Sequence, residues 1–156
     1  MTSPQPTTTT RPQNPDDAAL ADAIAAEHAT IYGYGFVSAH STPELNELVS
    51  TSLNEHRERR EAAIAILAAR SVTPPIAAVG YQLPMPVNNE IDAAKLAARM
   101  EDDDAAAWRA VIEQAKTAED RAFAVTALTA CAVRAARWRQ ALQTWPLTRA
   151  FPGGNE

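Results

Sequence analysis

Eleven prolines punctuate this chain, and they leave three long proline-free windows, 16–42, 44–73 and 87–145. Proline lacks an N–H and its ring clashes with the preceding helical turn, so each window can hold helix and each proline cluster marks a joint. The third window divides again at Thr117. Its hydroxyl, with Asp120 three residues on, gives the spacing of an N-terminal cap followed by an acid that faces the positive end of a helix. Four helices follow, over about 16–39, 43–70, 90–115 and 118–145. Thr42, Pro43 and Glu44 read as the start of the second, with proline in the first turn. Asn88-Asn89-Glu90 does the same for the third, and Pro146 stops the fourth.

Composition agrees with helices that approach closely. Of 156 residues, 34 are alanine, 5 are glycine and only 6% are aromatic. Alanine is the best helix former, whereas a sheet protein wants β-branched and aromatic residues. The formal net charge of -5 supplies no basic field for a polyanion, so nucleic acid is not expected as a partner. A single cysteine, Cys131, excludes an intrachain disulfide and a cysteine-cluster metal site. Residues 1–15 carry no apolar run that could serve an export signal, and read as a disordered Thr/Pro-rich tail. No stretch is apolar enough to span a bilayer, so the expected location is cytoplasmic and no membrane partner is expected.

Joint lengths set the topology. Short connections make helices 1 and 2 antiparallel neighbours, and likewise helices 3 and 4. Ser71 to Asn88 is too long for a turn: at about 3.3 Å per residue it can cover nearly 60 Å, more than the roughly 40 Å of helix 2. Helix 3 can therefore begin at the end where helix 2 began. The expectation is an all-α, ferritin-like four-helix bundle over 16–146, with one long crossover between helices 2 and 3 and a C-terminal tail, 147–156, that could dock on it.

The inner stripes carry charge. Leu20, Ile24, Glu27, Ile31, Tyr34 and Ser38 share one face of helix 1. Leu45, Val49, Leu53, His56, Arg60, Ala63 and Leu67 share one face of helix 2, and Ala94, Ala98, Glu101, Ala105, Trp108 and Ile112 one face of helix 3. Glu27, His56 and Glu101 each fall near the middle of a helix, so an aligned bundle places them in one layer. Buried charges need partners, which points to a metal site or an ion-pair network. A carboxylate-bridged di-metal centre takes a Glu from each of two helices and a Glu-x-x-His pair from each of the other two. Here Leu53 precedes His56 by three, and the expected inner face of helix 4, Ala124, Leu128, Cys131, Ala135, Trp138 and Leu142, offers neither acid nor histidine. Arg60 and Arg134 add permanent positive charges that compete with a cation. The favoured reading is a buried network of Glu27, His56, Arg60, Glu101 and Arg134 that sets helix register, with no catalytic residue and no cofactor. The alternative is an iron or manganese site on Glu27, His56 and Glu101 in an oxidoreductase.

The stretch Ala23 to Gly35, the His56-Arg57-x-Arg59-Arg60-Glu61 run and Pro74-Pro75 occur in that order. Together with Tyr81-x-Leu83-Pro84, Ala105 to Arg109 and Val133 to Arg139, they resemble a bacterial ferritin-like domain family of unknown function. The resemblance covers about 18–152. It implies the ferritin-like bundle and an actinobacterial origin, and assigns no activity.

Several other features have ordinary readings. His28 and Tyr32 are expected to pack against a neighbouring helix or subunit, and Cys131 to act as a small core hydrophobe. The members of Glu101-Asp102-Asp103-Asp104 are expected to point to different faces, with Asp102 and Asp103 solvated, so that they enclose no ion. Arg134, Arg137 and Arg139 around Trp138 are expected to pair with acids on neighbouring helices. The crossover residues 74–87 are too apolar for a free linker. They, or the helix faces, could instead form a homodimer surface, and the tail could dock through Leu147 and Phe151.

Overall fold

The computed structural model describes residues 9–154. Four helices, α1 (Pro15–His40), α2 (Asn46–Ala69), α3 (Glu90–Gln114) and α4 (Ala118–Ala141), make up the fold, with no strand among the described residues. Three of the four starts are capped by side chains: Asn14 accepts from the Asp16 amide at 3.3 Å, Asn89 from Asp92 at 2.9 Å and Thr117 from Asp120 at 3.1 Å. The entry to α2 differs from expectation. Pro43–Leu45 forms a single 3-10 turn and Thr42 makes no side-chain cap, so α2 begins three residues later.

The ends of α2 and α4 are built alike. Ser71 (φ 57) and Gln143 (φ 54) adopt the left-handed conformation, and Val72 and Thr144 donate back to the carbonyls of Leu67 and Arg139, both at 3.0 Å. This reverse turn closes a helix without proline. It ends α4 at Ala141, ahead of the 145 expected from Pro146.

Every adjacent pair of helices runs antiparallel. Arg70 at the end of α2 meets Asp16 and Asp17 at the start of α1 and Asp120 at the start of α4. At the other end, Leu45, Ile91, Ala94 and Leu142 line one groove, so α3 does begin where α2 began. The crossover spans the bundle as an extended ribbon: Tyr81, Leu83, Met85 and Val87 are half-buried and the residues between them exposed, the alternation of a strand-like chain. Leu83, Met85 and Val87 pack on the core, and His28 on α1 is hydrogen-bonded to the Pro75 carbonyl at 3.1 Å. Tyr32 stacks at 5.4 Å on Tyr81. Both α1 residues thus serve the crossover.

About half of the buried apolar residues are alanines, which lets the helix axes approach. Gly33 marks a tight point: a Cβ there would overlap Met100 Sδ on α3. The core is not continuous. One cluster contains Leu20, Ile24, Leu67, Trp108 and Val111; the other contains Tyr34, Val37, Val49, Leu96 and Trp138. A polar layer lies between them.

The C-terminal segment turns back onto α3. Leu147 is half-buried and its carbonyl accepts from Arg139 at 3.2 Å, whereas Phe151, expected as an anchor, is exposed. Gly153 (φ 76) provides the seat instead, since a Cβ there would lie 2.6 Å from the Ala105 carbonyl oxygen. At the N-terminus, residues 1–8 of the expected tail lie outside the described residues, while Arg11 pairs with Asp22 at 2.7 Å. No helix among the described residues is long and apolar enough to cross a membrane.

Candidate functional site: a buried carboxylate and histidine layer

Helix geometry brings four side chains from three helices to one point. Glu27 on α1, His56 on α2, and Glu101 and Asp104 on α3 are all essentially inaccessible to solvent. The His56 ring is held at both nitrogens, with Nδ1 2.6 Å from Glu27 Oε2 and Nε2 3.1 Å from Glu101 Oε1. Trp108 Nε1 donates to Glu27 Oε1 at 2.7 Å. The Tyr34 hydroxyl donates to Glu101 Oε1 at 2.5 Å and accepts from Trp138 Nε1 at 2.9 Å. The indoles come from α3 and α4, so each end of the layer is closed by an aromatic residue that supplies a hydrogen bond and excludes water.

The structure places Arg59, not Arg60, in this layer. Arg59 Nη1 lies 3.0 Å from Glu27 Oε1 and 3.3 Å from Cys131 Sγ on α4, and its side chain is 9% exposed. Arg60 points outward and pairs with exposed Glu61 at 2.7 Å. Positions three and four residues from His56 flank its face by roughly 60° and 40°, so both were admissible from spacing. The partners on α1 and α4 decide, because both lie on the Arg59 side. The buried face of α2 accordingly runs through Val49, Ser52, His56, Ala63 and Leu67. Arg134 also stays out of the layer: it is buried on α4 but forms its ion pair with Glu55 on α2.

Asp104 is the residue that spacing should have disclosed. It lies three positions beyond Glu101 and therefore shares its face. It is 1% exposed, with Oδ2 3.3 Å from His56 Nδ1. The acidic run thus divides: Glu101 and Asp104 face inward, Asp103 pairs with Arg99 at 3.0 Å on the surface, and Asp102 is bound by Arg139 and Arg149.

Burial works against the His56 imidazolium, but hydrogen bonds to Glu101 and Glu27 outweigh it and raise its pKa from 6.5 to about 10. Burial likewise disfavours the Glu27 carboxylate, yet the hydrogen bond with His56 and the charge of Arg59 hold its pKa below the usual value. Asp104 goes the other way: burial, reinforced by the charge of Glu27, pushes its pKa well above the carboxylate range. The layer therefore pairs the Glu27 carboxylate with cations at His56 and Arg59, while burial favours the neutral form of Asp104. Burial also pushes up the Cys131 thiol, which stays uncharged beside Arg59.

Two oxygens in this layer, Glu101 Oε2 and Asp104 Oδ2, have no hydrogen-bond partner among the described residues. One ligand atom each from Glu27, His56 and Asp104 lies within 4.8 Å of the others, the spacing of a cation site.

A family model described as a domain of unknown function (DUF4439) matches residues 19–156. The chain belongs to that family. Its structure is similar to the crystal structure of a conserved hypothetical protein, rv2844, from Mycobacterium tuberculosis, at 60% identity and a TM-score of 0.82, over 83% of this chain and 98% of that one. No curated protein matches. The chain is thus an all-helical member of a domain family of unknown function, with a 60% identical relative in an actinobacterium.

Proposed function

We propose that this DUF4439 chain is a non-catalytic ferritin-like bundle, a structural or interaction protein whose central layer is a closed ionic network in place of a di-metal centre. The ferritin-like assignment rests on the single crossover and the inward carboxylates at mid-helix. The observation that carries the reading is Arg59. Its guanidinium lies between Glu27 and Cys131, so a covalently attached cation fills the space beside the carboxylates.

The donor set does not fit two metal ions. The layer offers four oxygen- or nitrogen-bearing ligands where a dinuclear centre uses six, and the inner face of α4 contributes only the Cys131 thiol, itself against Arg59. A single ion is a second reading, favoured by the two unpartnered oxygens and the Glu27, His56 and Asp104 spacing. Glu27, His56 and Asp104, with Glu101 beside them, would hold iron or manganese, which would supply a Lewis-acidic, redox-capable centre. His56 would have to bind it as neutral imidazole and Arg59 would have to withdraw.

Metal analysis of protein purified without chelator separates the readings. The network predicts substoichiometric iron and manganese and no absorbance change on anaerobic Fe(II) addition. Stoichiometric metal that is lost in Asp104→Asn would overturn it in favour of the mononuclear site.

A further inference from the structure

Away from the buried layer, the outer face of α4 and the returning C-terminal segment enclose a groove of about 520 Å³. That volume is in the range of small-molecule sites, which are mostly apolar with a few convergent polar groups. Leu128, Ala132, Val133 and Ala136 form the floor, and Leu147 and Pro152 the opposite wall. The wall is fixed in place: Arg139 holds the Leu147 carbonyl, and Gly153 seats the chain against the backbone of α3. Val133 in the floor is 46% exposed, so the groove leaves apolar surface in water.

Its rim is positive in a chain whose net charge is -5. Arg137, Arg139 and Arg149 border the groove, and Asp102 is the one acid lining it among the described residues. Asp102 is engaged by both Arg139 and Arg149. Arg137 is exposed and has no ion pair among the described residues; Glu44 and Glu47 share a neighbouring groove with it, but neither comes within ion-pair distance. No aromatic side chain among the described residues lines the site, so none of them selects a ring by stacking.

We infer that this groove binds a small aliphatic amphiphile bearing one carboxylate, the alkyl body lying along α4 and the head paired with Arg137. Aliphatic walls contribute through area removed from water, and a guanidinium recognises a carboxylate through two parallel hydrogen bonds. This site is independent of the buried layer, and metal content does not bear on it.

Dodecanoate, dodecanol and butyrate, titrated into the full-length protein by calorimetry below their aggregation limits, test the inference. Saturable binding of one dodecanoate per chain is expected, with butyrate undetectable and dodecanol weaker by about tenfold, the loss of one charge-assisted contact. Arg137→Ala should weaken dodecanoate by about the same factor and leave dodecanol unchanged. Val133→Asp, at an exposed position that folding tolerates, and Ala136→Phe, which fills the groove, should each abolish dodecanoate binding. The inference is overturned by absence of saturable dodecanoate binding, by equal affinity for dodecanol, or by binding that survives both Val133→Asp and Ala136→Phe in variants with unchanged circular dichroism.

Discussion

Two ion-pair networks hold this bundle, one at its waist and one at its end, and they differ in access to water. At the waist, Glu27, His56, Glu101 and Arg59 pair at 9% exposure or less. At the end, Arg70 clasps Asp16, Asp17 and Asp120 while its own side chain is 26% exposed. Both tie three helices together with a few side chains. The dry network has desolvated its charges and must keep them matched, because a stranded buried ion costs far more than a pair contributes. In the end network the arginine is partly open to water and salt, although the carboxylates it clasps are 12% exposed or less.

Breaking the waist should have the largest effect. Glu27→Ala leaves His56 and Arg59 without their shared carboxylate and should destabilise by about 3–5 kcal/mol in urea unfolding. A loss under about 0.5 kcal/mol, the scale of surface substitutions, would place Glu27 in contact with solvent.

Titration should sharpen the contrast next. The folded-state pKa of His56, about 10, lies above its unfolded value of 6.5, so its contribution is complete below pH 6.5 and is lost as pH rises toward 10. Asp104 acts in the same direction, because the folded state keeps a proton that the unfolded chain releases above its usual value of 3.8. Glu27 is lowered, so its contribution is lost on the acid side, as pH falls below 4.5. The urea midpoint should therefore fall between pH 6.5 and 10, and His56→Gln should flatten that slope. An unchanged midpoint across the window would contradict a buried imidazolium.

Arg70→Ala should have the smallest effect, about 1 kcal/mol, and the difference from the parent should shrink at 1 M salt. A salt-independent loss matching that of Glu27→Ala would erase the distinction between the two networks.

The parts legible in the sequence are those governed by local rules. Proline spacing and cap residues located the four helices within a few residues, and the 18-residue crossover fixed their directions. Periodicity also gathered Glu27, His56 and Glu101. It pointed to Arg60 where Arg59 enters the layer, since steps of three and four flank the same face and the deciding contacts come from α1 and α4. Consecutive acids fan out around a helix, which hides Asp104 in the sequence, yet positions i and i+3 coincide and put it on the face of Glu101. The Arg70 clasp had a local signal in the acids of two first turns, but its meaning depends on those turns meeting the last turn of α2.

The long crossover divides the charges of the waist unevenly. The α1–α2 hairpin carries one acid, Glu27, with two bases, His56 and Arg59; the α3–α4 hairpin brings only acids to the layer, Glu101 and Asp104. Neither half matches its own acids with bases, and a half docked against a copy of itself would bring like groups together. Assembly of the bundle is thus a neutralisation reaction between its two hairpins. The same residues that give the core its polar seam discourage each half from pairing with its own kind.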